Sequence, residues 1–174
     1  MKYDDYWKSI CEIHLLTKHY LLLAEEMCDE GDLFLQPLKE HRDAYDHIIR
    51  VYAAKEAISS PENPEEYMKS NMSKAIGHEY RAFFDTADWL SFICRKKINA
   101  LLAGKKREEI IAKYSGYDEL KVMLLALPGQ IAEQREHKDV GNNDMLTEVN
   151  KYALILNSLI QKWGELYMAF DEMA

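Results

Sequence analysis

NPEEYMKSNMSKAIGHEYRAFFDTADWLSFICRKKINALLAG, residues 63–104, decides the fold. Asn63 has the side chain of a helix cap, and Pro64 suits the first helical position, where no N–H is needed. Glu65 and Glu66 follow, placed against the positive end of the dipole. From there Ile76, Tyr80, Phe83, Ala87, Leu90, Cys94, Ile98 and Leu101 recur with helical spacing on one side. Arg95-Lys96-Lys97 and then Gly104 mark a C-terminus. The pattern predicts one long helix over 64–102.

The flanking sequence reads the same way. Residues 4–29 predict a helix with Trp7, Ile10, Cys11, Leu15, Tyr20, Leu22, Leu23 and Met27 as its apolar side, Asp4 or Asp5 as cap and Gly31-Asp32 as stop. A second helix is expected over 35–58, with Pro37 in its first turn and Leu38, Tyr45, Ile48, Ile49 and Tyr52 facing the core. Residues 106–114 predict a short helix. Another, from Asp118 to Lys138, is expected to break or kink at Pro128-Gly129. Val140-Gly141-Asn142-Asn143 reads as a turn. The last helix is expected over 144–172, with Leu146, Val149, Ala153, Leu156, Leu159, Ile160, Trp163, Leu166, Tyr167 and Phe170 inward. No segment alternates like a strand. The expected fold is all-α: an up-and-down helical bundle of four long helices plus a short extra helix, in a single domain over 1–174.

The net charge is −8. An acidic chain does not bind nucleic acid through its overall field and needs a local basic patch. The clusters Arg95-Lys96-Lys97 and Lys105-Lys106-Arg107 read as charge at a helix end and a solvated loop. No signal peptide and no apolar run of membrane-spanning length is evident. Cys11, Cys28 and Cys94 are spaced unlike metal ligands and read as free, mostly buried thiols of a reducing compartment; the expected location is the cytoplasm.

Chemistry is suggested mainly by Glu40-His41-Arg42-Asp43-Ala44-Tyr45-Asp46-His47-Ile48-Ile49-Arg50. On a helix, Asp43, His47 and Arg50 form a polar stripe and Arg42 projects from its flank. Its plain reading is an ion-pair stripe at the edge of the bundle. Arg42-Asp43-Ala44-Tyr45-Asp46-His47 also resembles the motif of HEPN domains, an Arg followed by a polar residue and, a few positions on, a His. The resemblance covers these six positions. It implies a helical bundle, commonly dimeric, and for many members metal-independent ribonuclease activity. Carried over, Arg42 steadies the phosphate, His47 does acid–base work at the ribose 2′-hydroxyl, and Asp43 orients the site.

The long helix carries a second stripe, His78, Arg81, Asp85 and Asp88, at spacings of one helical face. Its plain reading is a solvent face with an Arg81–Asp85 pair. Trp89 and Phe92 flank it, which points to a covered face or a partner surface. Arg135, His137, Lys138 and Asp139 form a third polar group, so Arg135 is a candidate anion ligand with His78 and Arg81. No metal site and no cofactor are expected: the chain lacks Glu-x-x-His pairs, and His14 and His19 fit one face poorly. His41 directly follows Glu40 and His78 directly precedes Glu79.

The leading expectation is a non-enzymatic interaction or assembly module, a homodimer through the face bearing Trp89 and Phe92. The alternative is a HEPN-like ribonuclease or inactive relative using Arg42 and His47, with RNA as partner only then. A small anionic-ligand-binding bundle is the third reading. No membrane partner is expected.

Overall fold

Helix formers run almost unbroken through this chain, and the computed structural model is all-α. It describes residues 3–29, 34–136 and 145–171, the side chains of 3, 4, 134, 135 and 171 excepted. Among them are six helices and no strand: α1 (Tyr3–Met27), α2 (Gln36–Lys55), α3 (Pro64–Leu102), α4 (Arg107–Lys113), α5 (Tyr117–Glu136) and α6 (Met145–Asp171). The fold is a helical bundle. Arg135's side chain, the group His137–Asp139, the turn 140–143 and the stop at Gly31-Asp32 lie outside the described residues.

Contacts group the chain into two compact units, Met1–Ala87 and Asp88–Ala174, and α3 runs through both. In the first unit, α1 buries Ile10, Ile13, Tyr20, Leu21, Ala24 and Met27. These meet an aromatic set on α3: Tyr20 lies 6.2 Å from Phe83, and Phe83 is edge-on to Phe84 at 5.5 Å. In the second unit, Leu90, Ile93, Cys94 and Ile98 of α3, Leu120 and Leu127 of α5, and Val149, Leu156 and Leu159 of α6 form the buried set. Tyr152 donates its hydroxyl proton to Asp88 at 2.6 Å.

The α3 boundaries follow from the predicted signals. Asn63 Oδ1 accepts from the Glu66 N–H at 3.3 Å, and Asn63 Nδ2 donates to the Glu66 carboxylate. Gly104 takes φ +74°, the left-handed conformation that lets the chain leave the helix.

Expectations on several helices are corrected. The chain does not break at Pro128, which lies inside α5. The thiols are not mostly buried: Cys94 is buried, with its pKa pushed up to about 12 by burial, but Cys11 is exposed and Cys28 half-buried. On α1, Cys11, Leu15 and Leu22 face outward, while Ile13, Thr17 and Ala24 are fully buried.

The largest correction is α2. Leu38, Tyr45, Ile49 and Tyr52 are exposed, Tyr45 at 64%. The buried residues are Pro37, Glu40, Ala44 and Val51. The helix is turned with its polar side in, because α3 presents Asn71, His78, Glu79 and Arg81, all buried or half-buried. Buried polar groups need hydrogen-bond partners, and only the Glu40/His41/His47 side of α2 supplies them. The helix also ends at Lys55, earlier than expected. Ala57 takes φ +54°, and the Ile58 and Ala57 N–H groups donate back to the Ala53 and Ala54 carbonyls at 2.8 and 3.3 Å. That is the Schellman pattern, with alanine where glycine is usual.

Candidate functional site

Two polar clusters lie side by side between α2 and α3 in the first unit. The first centres on Glu40, which is buried. Its Oε2 accepts from His78 Nδ1 at 2.8 Å and from Arg81 Nε at 2.9 Å. Arg81 Nη2 also lies 2.6 Å from His78 Nδ1. That nitrogen cannot donate to Glu40 and accept from Arg81 at once. The carboxylate favours the proton on Nδ1, so Glu40 Oε2 accepts from both side chains and the Arg81 approach to His78 is not counted as a hydrogen bond. Burial alone would raise the Glu40 pKa; the bonds from His78 and Arg81 outweigh it and hold the carboxyl below its ordinary range.

The second cluster centres on Glu79, also buried. Its carboxylate accepts from His14 Nδ1 at 3.2 Å and from His41 Nδ1 at 3.0 Å. The two imidazoles meet edge-on, ring centres 4.9 Å apart. Burial would raise the Glu79 pKa, and the two histidines reverse that and hold it low. The hydrogen bond to Glu79 in turn raises His14 above its ordinary value, against burial.

Next to the first cluster opens a cleft of about 670 Å³, lined by Arg42, Asp43, Tyr45, Asp46, His47, Ile49, Arg50 and His78. His47 stacks on His78 with ring centres 5.3 Å apart and planes 25° from parallel. His47 Nδ1 lies 2.8 Å from Asn71 Oδ1. Asn71 Nδ2 donates to the Tyr67 carbonyl at 2.9 Å, which fixes which end of the amide is oxygen. His47 Nδ1 must therefore carry a proton, and Nε2 is left as the basic nitrogen. At the rim, Arg42 pairs with Asp43 and Arg50 with Asp46, each at 2.7 Å. The Arg42 guanidinium holds the Asp43 carboxyl below its usual range.

Of the residues singled out from sequence, Arg42, Asp43, His47 and His78 share this cleft. Arg81 is engaged with Glu40, in a bond between helices, and does not line it. Asp43 faces Arg42 rather than His47. Trp89 and Phe92 lie in the second unit, Trp89 half-buried and Phe92 58% exposed. Sequence reasoning missed the roles of Glu40, His41, Asn71, Glu79 and His14. The available signal was the mirrored pair of dipeptides, Glu40-His41 and His78-Glu79, each placing acid and base on successive residues of a helix.

No family model, no curated protein and no solved structure matches this chain.

Proposed function

We propose that the α2–α3 cleft is an acid–base site for a phosphodiester, with RNA as the substrate class that the HEPN-like Arg42–His47 motif implies. One observation carries the reading: His47 is held by Asn71, itself held by Tyr67, in the tautomer whose Nε2 is a base. A fixed tautomer with a hydrogen-bonded second nitrogen is what general-base catalysis requires. His47 Nε2 takes the proton of the ribose 2′-hydroxyl. The 2′-oxygen bonds to phosphorus, the bond from phosphorus to the 5′-oxygen breaks, and that oxygen takes a proton from the imidazolium of His78. Arg42 and Arg50 hold the phosphate. Their present partners are carboxylates at the solvent-facing rim of the cleft, and such pairs are weak, so a phosphate replaces them at small cost.

The test is cleavage of a single-stranded RNA in the presence of chelator, wild type against His47→Ala and Asn71→Leu. The expected result is a loss of about 100-fold or more for His47→Ala, a smaller loss for Asn71→Leu, and a 2′,3′-cyclic phosphate product. Equal cleavage by wild type and His47→Ala, or none by wild type, refutes the reading.

A second reading, an assembly module that pairs with its own copy, is favoured by a different observation. Leu38, Tyr45, Ile49 and Tyr52 form an exposed apolar stripe along α2, with Arg42, Asp46 and Arg50 interleaved. Carrying both signs of charge, this face is suited to a second copy of itself. It is more continuous than the face bearing Trp89 and Phe92.

A further inference from the structure

The cluster at Glu79 lies outside the cleft and has no part in the chemistry proposed there. Three helices each contribute one group: His14 from α1, His41 from α2, Glu79 from α3. Among the described residues this is the one set of three whose potential ligand atoms all lie within 4.8 Å of one another.

We propose that His14, His41 and Glu79 bind a divalent transition-metal ion of the zinc class. Two imidazoles and one carboxylate are the donor set of a three-ligand zinc site, whose fourth position is left to water. The spacing fits. A tetrahedral ion with bonds of ~2.0–2.1 Å holds neighbouring ligand atoms about 3.3 Å apart. Here the imidazole Nδ1 atoms of His14 and His41 already lie 3.2–3.3 and 3.0–3.2 Å from the Glu79 oxygens. The ion displaces the proton on each Nδ1. In the neutral imidazole that proton moves to Nε2, and the freed lone pair faces the metal. Glu79 is 4% exposed at its side chain and His41 17%, but His14 is 45% exposed, which leaves a route of entry. The nearby cationic Lys18 opposes a second positive charge, so the anionic carboxylate is indispensable to the site. Hard cations that prefer an all-oxygen shell suit it poorly.

The experiment uses the full chain stripped with chelator and titrated with Zn²⁺, with Co²⁺ as a spectroscopic probe and Mg²⁺ as the hard-ion control. The expected result is one Zn²⁺ per chain, a rise in Tm of about 5 °C or more at saturating metal, and visible Co²⁺ absorption of four-coordinate intensity. Mg²⁺ produces neither the binding nor the shift. His14→Ala, at a half-exposed position that folding tolerates, should weaken Zn²⁺ binding by more than the roughly 10–100-fold that loss of an outer-shell partner costs. Glu79→Gln should abolish it, and His19→Ala, at an exposed position elsewhere on α1, should leave it unchanged. Absence of Zn²⁺ binding by wild type overturns the proposal. So does undiminished binding by His14→Ala, which would move the metal to the thiols or another surface.

Discussion

Glu79 carries two imidazoles on one carboxylate, and this fixes the sign of the protein's response to pH. The Glu79 and Glu40 carboxyls both sit below the ordinary value of 4.5. Each contributes stability that is fully present above about 4.5 and is lost as pH falls through the lower folded value. His14 works the other way. Its pKa is raised above 6.5, so its contribution is complete below 6.5 and is lost as pH rises through the raised value. In chelator, the urea midpoint should therefore plateau between about pH 4.5 and 6.5 and decline on both sides. His14→Ala should remove much of the alkaline decline and spare most of the acid one. A midpoint unchanged down to about pH 3 would contradict the assignment of both carboxylates. At this scale the sequence was legible in type and not in partner. Arg42, His47 and His78 stand out as reactive residue types. Their pairing depends on which side of α2 faces α3, and helical spacing leaves that open.

The helices themselves were legible to within a few residues where capping chemistry is explicit. Asn63-Pro64 and Gly104 bracket α3 as expected, because each acts through its own backbone geometry. The orientation of α2 was misread for a physical reason. Its tyrosines and isoleucines look like a core stripe, yet Pro37, Ala44 and Val51 mark the side that packs closely, along with Glu40. Small residues permit close approach of a neighbouring helix; large ones at 38, 45, 49 and 52 do not. The end of α2 was misread because no residue there signals a stop: Glu56, Ala57 and Ile58 are all compatible with continued helix. Ala57 instead sits in the left-handed region, where a Cβ costs roughly 1–2 kcal/mol. Ala57→Gly should therefore stabilise the protein. After the greater freedom of glycine in the unfolded chain is subtracted, the gain should be ~0.5–1 kcal/mol, read from urea unfolding. A loss of stability would show that the Schellman turn does not limit α2.

For the whole molecule, the all-α class was legible because amphipathic periodicity covers most of the chain. Its grouping into two units that share α3 was not, since the shared helix shows no break in composition at Ala87. No helix among the described residues is long and apolar enough to cross a membrane. In the assembly reading proposed above, a second copy covers the exposed apolar stripe of α2. Sedimentation of the wild type at micromolar concentration should give a dimer. The double variant Tyr45→Glu, Ile49→Glu should raise its dissociation constant by about tenfold or more, a change of ~1.4 kcal/mol. Because both positions are already exposed, the variant should keep its helical content. A wild-type monomer at that concentration rules out the assembly reading while leaving the cleft chemistry to its own assay.

The mirrored dipeptides on α2 and α3 also work as a key. Glu40 meets His78 and His41 meets Glu79, acid against base in both cases. A register that brought Glu40 beside Glu79 would set two carboxylates together, and one that brought His41 beside His78 would set two imidazoles together. Either slip matches like with like. Alignment of the two helices is thus encoded twice, in two adjacent letters on each, and only one reading frame satisfies both.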